Sequence, residues 1–174
     1  MMSLAASLGA IFARELATLR MEVEAYPQEA DLWRVVPGIS NPGGTLALHL
    51  AGNLHHFIGA VLGGSGYRRD REYEFQARDV PRADLLRRID ETMAAVRKTL
   101  EGLGEAQLGQ EYPLEVAGVR LMTGDFLMHL ASHFSYHLGQ MDYHRRITTG
   151  GSPLGGAVSP TRLWSAKQQP KGGS

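Results

Sequence analysis

The chain is 174 residues long and carries 18 Lys plus Arg against 18 Asp plus Glu, a length that suits one domain able to bury a core without a metal or disulfide staple. The balanced charge lacks the basic footprint that phosphate-backbone binding needs, which argues against nucleic acid as a partner. Cysteine is absent, so there is no disulfide framework and no thiol nucleophile, and a transition-metal site has only imidazole and carboxylate to draw on.

Four segments carry helical periodicity. The first runs from about Ser3 to Tyr26, with Leu4, Leu8, Ile11, Phe12, Leu16 and Leu19 on one stripe and Pro27 just beyond it. Its start superficially resembles a signal peptide, but it has no basic n-region and its apolar period continues into Leu16, Leu19 and Val23, so a cytoplasmic first helix is expected. No apolar run approaches membrane-spanning length. Residues 27–44 read as a loop marked by Pro37-Gly38, Asn41-Pro42 and Gly43-Gly44. A second helix covers about Thr45 to Leu62 and ends at Gly63-Gly64, where a left-handed cap costs glycine little. The charged connection Tyr67-Arg-Arg-Asp70-Arg71-Glu72-Tyr73-Glu74-Phe75 follows.

Pro81 is placed to open the third helix, with Leu85, Ile89, Met93, Val96 and Leu100 at three- and four-residue steps up to Gly102. Tyr112 to Leu121 alternates with period two around Ala117-Gly118 and reads as a short hairpin or extended cover. The fourth and longest helix spans about Thr123 to Ile147, with Thr123 as its N-cap and Asp125 in its first turn. Beyond Gly150-Gly151 the composition turns to Gly, Ser, Pro, Lys and Gln. The expected organisation is therefore an all-α four-helix bundle with long crossover loops over residues 1–150 and a loosely ordered tail over 151–174.

The chemistry concentrates on histidine. His129, His133 and His137 form an i, i+4, i+8 ladder on the fourth helix; four residues are one turn plus about 40°, so His133 and His137 share a face at a separation one metal ion can bridge. They border the apolar arc of Leu127, Leu130, Phe134, Leu138 and Met141, the position of a cleft-lining stripe. Two imidazoles one turn apart on a half-buried stripe repel on protonation unless a metal or a carboxylate holds them. His49, in Thr45-Leu-Ala-Leu-His49-Leu-Ala-Gly-Asn53, can supply a third ligand, and three His ligands leave coordination positions open, as a catalytic site requires. Asn53 and His56 fall within about 40° of His49 on a helical wheel, whereas His55 points away. Asn53, His56, His129 and Gln140 are thus candidates for supporting the ligands or lining the cleft. The bland alternative for His55, His56, His129 and His144 is a histidine satisfied in the core or on the surface.

Competing motifs are missing: there is no His-Glu-x-x-His, which a metalloprotease needs, and no Glu-x-x-His, which a carboxylate-bridged di-iron bundle needs. Arg68 to Glu74, with Arg71 a candidate for supporting the ligands or lining the cleft, could set guanidinium groups over an anionic substrate at the cleft mouth. The alternative is a solvated loop whose charges pair among themselves.

Taken together, Leu48-His49-Leu-Ala-Gly-Asn53-Leu, then Leu62-Gly-Gly, then Arg69-Asp70-Arg71-Glu-Tyr-Glu-Phe75, then His129-Leu-Ala-Ser-His133-Phe-Ser-Tyr-His137-Leu-Gly139-Gln140, resemble the DinB-like superfamily of bacterial four-helix proteins over roughly residues 3–150. The resemblance implies up-up-down-down topology, a homodimer, and one divalent ion per chain, zinc or nickel, held by His49, His133 and His137, with Gln140 matching the Gly-Gln after the last ligand. Leu138 stands where many members carry Arg. Related members include thiol-dependent enzymes, among them bacillithiol S-transferases and a mycothiol-dependent isomerase. The functional expectation is a metal-dependent transferase or hydrolase acting on a small molecule such as a low-molecular-weight thiol; the alternative is a non-catalytic metal-dependent binding or stress-response protein.

Overall fold

A computed structural model describes residues 3–155 and 158–167. The described residues form six α-helices and no strand: α1 (Leu4–Glu24), α2 (Gly43–Leu54), α3 (Arg71–Gln76), α4 (Arg82–Glu101), α5 (Glu105–Leu108) and α6 (Thr123–Thr149). α1 packs against α4 and α6, and α2 packs against the same two helices, which makes the chain an all-helical bundle. None of these helices is long and apolar enough to cross a membrane.

Each long helix buries the stripe that its period dictates. Leu8, Phe12, Leu16, Leu19 and Val23 of α1 are buried, as are Leu85, Ile89, Val96 and Leu100 of α4 and Leu127, Leu130, Phe134, Leu138 and Met141 of α6. The amphipathic pattern missed the inward polar residues. Met93 of α4 packs against the core half-buried, and the neighbouring Thr92 is buried and donates to the Ala51 carbonyl. Glu22 of α1 is buried opposite Arg145 of α6, which also holds Asp142.

Helix ends follow local chemistry. Ser3 caps α1 through its side chain and accepts from the Ala6 amide. Met122 is the N-cap of α6, one residue before the expected Thr123, which is buried inside the first turn. α6 runs to Thr149, two residues past the expected Ile147, and Gly150 caps it in the left-handed conformation. The loop expected over 27–44 contains a 3₁₀ turn at Glu29–Trp33, and α2 begins at Gly43, before the expected Thr45. Val116 and Val119 exchange backbone hydrogen bonds around Ala117 (φ 52°) and Gly118 (φ 82°). These are the two positive-φ positions of a tight hairpin turn, and the pairing stops short of a ladder. The expected tail contains a 3₁₀ turn at Pro160–Arg162; its residues 156–157 and 168–174 lie outside those described.

The second predicted helix shows the largest departure. It is α-helical only to Leu54 and continues as a π-helix over His55–Leu62. A π turn is wider than an α turn, so the 100° wheel applies through Leu54 and loses its period along the segment that follows. At Gly63 an added Cβ would lie 2.0 Å from Thr99 Oγ1 of α4, so this wider segment needs glycine where it ends against its neighbour. Tyr112, buried, donates through its hydroxyl to the Phe57 carbonyl at 2.7 Å.

His144 is a structural histidine. It is fully buried, its Nε2 lies 2.9 Å from the Arg34 carbonyl and its Nδ1 lies 2.8 Å from the Tyr26 hydroxyl. A neutral ring that donates from Nε2 and accepts at Nδ1 satisfies both contacts. Burial holds its pKa below the usual histidine value. The unfolded chain therefore takes up a proton at a higher pH than the native one, and the native state loses stability as pH falls below about 6.5. His144→Gln should lower stability at pH 7 by about 1 to 3 kcal/mol and flatten the decline between pH 7 and 5. Chemical denaturation across that range checks it; an unchanged acid limb would contradict it.

Candidate metal centre

α2 and α6 bring His49, His133 and His137 together, with one ring nitrogen of each within 4.8 Å of the others. His49 is buried and the other two are half-buried. His49 Nε2 lies 3.4 Å from His133 Nε2, and two imidazole lone pairs at that distance repel unless a proton or a cation stands between them. Two nitrogens bound at 2.0–2.1 Å to a tetrahedral ion are themselves about 3.4 Å apart. The ring centroids of His133 and His137 are 4.6 Å apart, and that of His49 is 5.3 and 5.4 Å from them.

Two of the three imidazoles are held from behind. His137 Nδ1 lies 2.7 Å from Gln140 Oε1, one turn along α6. His49 Nδ1 lies 3.0 Å from Glu74 Oε2. In a neutral ring, donation from Nδ1 leaves Nε2 as the lone pair, which for His49 faces His133, and a carboxylate or amide oxygen at Nδ1 also raises ligand basicity. The Glu74 carboxylate is clamped by Arg69, whose Nε and Nη2 donate to its two oxygens at 2.7 Å each. Burial pushes the Glu74 pKa up, but the hydrogen bonds from Arg69 and His49 outweigh it and hold the carboxyl below its ordinary value. Glu74 is thus an anion that orients His49. His133 behaves differently: its Nδ1 is buried without a partner among the described residues, and burial, with the neighbouring His137 and His49, pushes its pKa down to about 4. At neutral pH it is an uncharged base, the form in which imidazole binds metal. The donor set and its spacing therefore fit a transition-metal ion.

Glu74 reaches His49 because of local sequence. Asp70 accepts from the Tyr73 amide at 2.9 Å and caps α3, and this one-and-a-half-turn helix packs on α2 with Glu74 facing inward. Gly52 makes the approach possible, since a Cβ there would stand 2.3 Å from Glu74 Oε1. Phe75 packs its ring 4.9 Å from that of His49.

The other residues singled out in sequence are distributed around this core. Asn53 is buried one turn after His49 with its Oδ1 unpaired among the described residues. His56 is half-buried, at the start of the π segment, with its pKa lowered by burial and then by Arg69; it is not part of the three-histidine group. His129 is exposed, stacked on Phe126 at 6.1 Å and 6.2 Å from the His133 ring. Arg71 lies over the Phe75 ring at 4.9 Å, and it is Arg69, two residues earlier, that turns inward. His55 stacks on Tyr67 at 4.1 Å, away from the cluster.

Sequence reasoning missed Glu74 and Arg69. Asp70 standing before Arg-Glu-Tyr-Glu is a helix-start signal, and reading it as one would have turned the charged loop into a helix.

A family model described as the DinB superfamily matches residues 11–141. The chain belongs to the DinB superfamily. No curated protein and no solved structure matches it significantly. Superfamily membership is carried by most of the bundle, and the matched stretch includes His49, Arg69, Glu74, His133, His137 and Gln140.

Two substitutions away from the three histidines test how the centre is supported. Gly52→Ala should displace the Glu74 carboxylate, and Glu74→Gln should remove its charge. Each is expected to weaken zinc binding about tenfold or more while the three histidines remain, measured by competition with a chromogenic chelator. Arg69→Ala, which leaves Glu74 buried without its cation, should cost about 3 to 5 kcal/mol of stability. Unchanged affinity in both Gly52→Ala and Glu74→Gln would remove Glu74 from the account.

Proposed function

We propose that this DinB superfamily protein binds one divalent ion per chain, zinc or nickel, at His49, His133 and His137, and is a metal-dependent enzyme of the transferase or hydrolase type acting on a low-molecular-weight thiol. The homodimer and the up-up-down-down helix order that the sequence resemblance implies belong to the same reading. The observation that supports it best is the meeting of three imidazoles, two of them fixed through Nδ1, with a compact donor spacing. When bound, such an ion supplies Lewis acidity at the positions that three protein ligands leave open.

The chain's own residues supply orientation and space. Glu74 and Arg69 fix His49, and Gln140 fixes His137. A cavity of about 360 Å³ is lined by His137 and Gln140 together with Ile39, Asn41, Tyr136 and Tyr143, which is a volume suited to a small organic molecule. The two tyrosine rings give it apolar walls, and Asn41 and Gln140 give it amide groups that can hydrogen-bond a polar substrate. Asn53 Oδ1, unpaired among the described residues, is a further acceptor on the helix that carries His49.

A second reading, a metal-dependent binding protein without turnover, is favoured by one feature: the carboxylate at the ligands is already committed to Arg69 and His49 and is not free to act as a general base. The deciding experiment starts from untagged protein purified without nickel resin. Elemental analysis should give about one divalent ion per chain. Incubation with low-molecular-weight thiols and alkyl or epoxide electrophiles should then give a product that is lost on chelation and in His137→Ala. Metal without turnover for any thiol would select the second reading, and no metal after reconstitution with zinc and nickel would overturn both.

A further inference from the structure

α2 presents a second face. Leu48, Ala51, Gly52 and His55 look away from the three histidines into a cavity of about 290 Å³ that α3 and α4 close. That volume sits at the small end of ligand pockets, roughly 300 Å³. Glu74 forms part of the dividing wall, touching His49 on one side and lining the cavity on the other.

The charges in this wall are not all matched. Its three carboxylates are engaged: Asp70 caps α3, Glu91 pairs with Arg87, and Glu74 is clamped by Arg69. Arg68 and Arg88 also line the cavity. Neither has an ion-pair or hydrogen-bond partner among the described residues, and Arg88 Nε is buried there without an acceptor. A buried charged donor left unpaired is costly. The Arg88 guanidinium lies over the Tyr73 ring at 5.2 Å, which sets its planar fork at the cavity wall. Alongside stand the rings of His55 and Tyr67, stacked at 4.1 Å and within 6° of parallel, a flat aromatic surface in the same lining.

We propose that this cavity is a second ligand site, distinct from the three-histidine centre, that takes a small aromatic monocarboxylate. Arg68 and Arg88 receive the carboxylate, for which the guanidinium fork is matched in geometry. The rings of Tyr73, Tyr67 and His55 receive the planar body. A monoanion is favoured over a dianion such as phosphate because three carboxylates already stand in the wall, and the repulsion grows with ligand charge. This inference does not rest on the metal reading.

The test is calorimetric titration of the full chain, stripped of metal with a chelator so that no carboxylate can bind an ion, using benzoate, acetate and inorganic phosphate. Benzoate should bind more tightly than acetate or phosphate. Arg68→Gln and Arg88→Gln should each weaken benzoate about tenfold, with circular dichroism unchanged. Arg68 is exposed, so its variant remains informative if Arg88→Gln fails to fold. Absence of benzoate binding up to about 10 mM, affinity unchanged by both substitutions, or phosphate binding as tightly as benzoate would each overturn the proposal.

Discussion

The centre depends on one buried carboxylate. Glu74 is almost wholly removed from water, which is costly for an anion unless it is paired and hydrogen-bonded. Arg69 meets that cost with two hydrogen bonds, and the remaining capacity of Oε2 accepts from His49 Nδ1. The arrangement is directional: in a neutral ring whose Nδ1 donates, Nε2 is a lone pair, and it faces His133. The chain of guanidinium, carboxylate and imidazole thus turns a histidine in a buried helix into a poised ligand. Gly52 is the backbone condition for it, because any side chain there would occupy the space of the carboxylate.

The π segment supplies the other constraint. α2 is buried along its whole length, so the turn that follows must satisfy its backbone groups internally or through neighbours. The wider turn beyond Leu54 is joined by the Tyr112 hydroxyl at the Phe57 carbonyl and carries both His55 and His56. His55 stacks on Tyr67 at the second cavity, while His56 remains beside Arg69 and outside the three-histidine group.

Much of this was legible in the sequence, for identifiable reasons. The stripes of α1, α4 and α6 are amphipathic, and burial of an apolar face follows directly from period. The His133 and His137 spacing is a property of a regular helix, and His49 and Asn53 obey the same geometry because α2 is regular up to Leu54. What escaped lies where local rules compete. His56 was a candidate for supporting the ligands or lining the cleft, and it stands half-buried within electrostatic reach of Arg69 and Glu74 at the start of the π segment, a feature no wheel reveals. Thr92 and Glu22 face inward through tertiary partners, the Ala51 carbonyl and Arg145, that no periodicity reveals. Arg71 was a candidate for the cleft and lies over the Phe75 ring, while Arg69, in the connection before α3, holds Glu74, a pairing that no local pattern reveals. Glu74 comes from an element distant in sequence from both ligand helices, and only the packing of α3 on α2 brings it to His49.

The central claim is that three imidazoles from two helices hold one ion, and X-ray absorption at the zinc edge tests it most directly. Protein reconstituted with one equivalent of zinc should show three imidazole nitrogens at about 2.0 to 2.1 Å, and His49→Ala should show two, with the third replaced by a light scatterer. An imidazole count that stays the same in His49→Ala would mean that α2 contributes no ligand, and it would contradict the account.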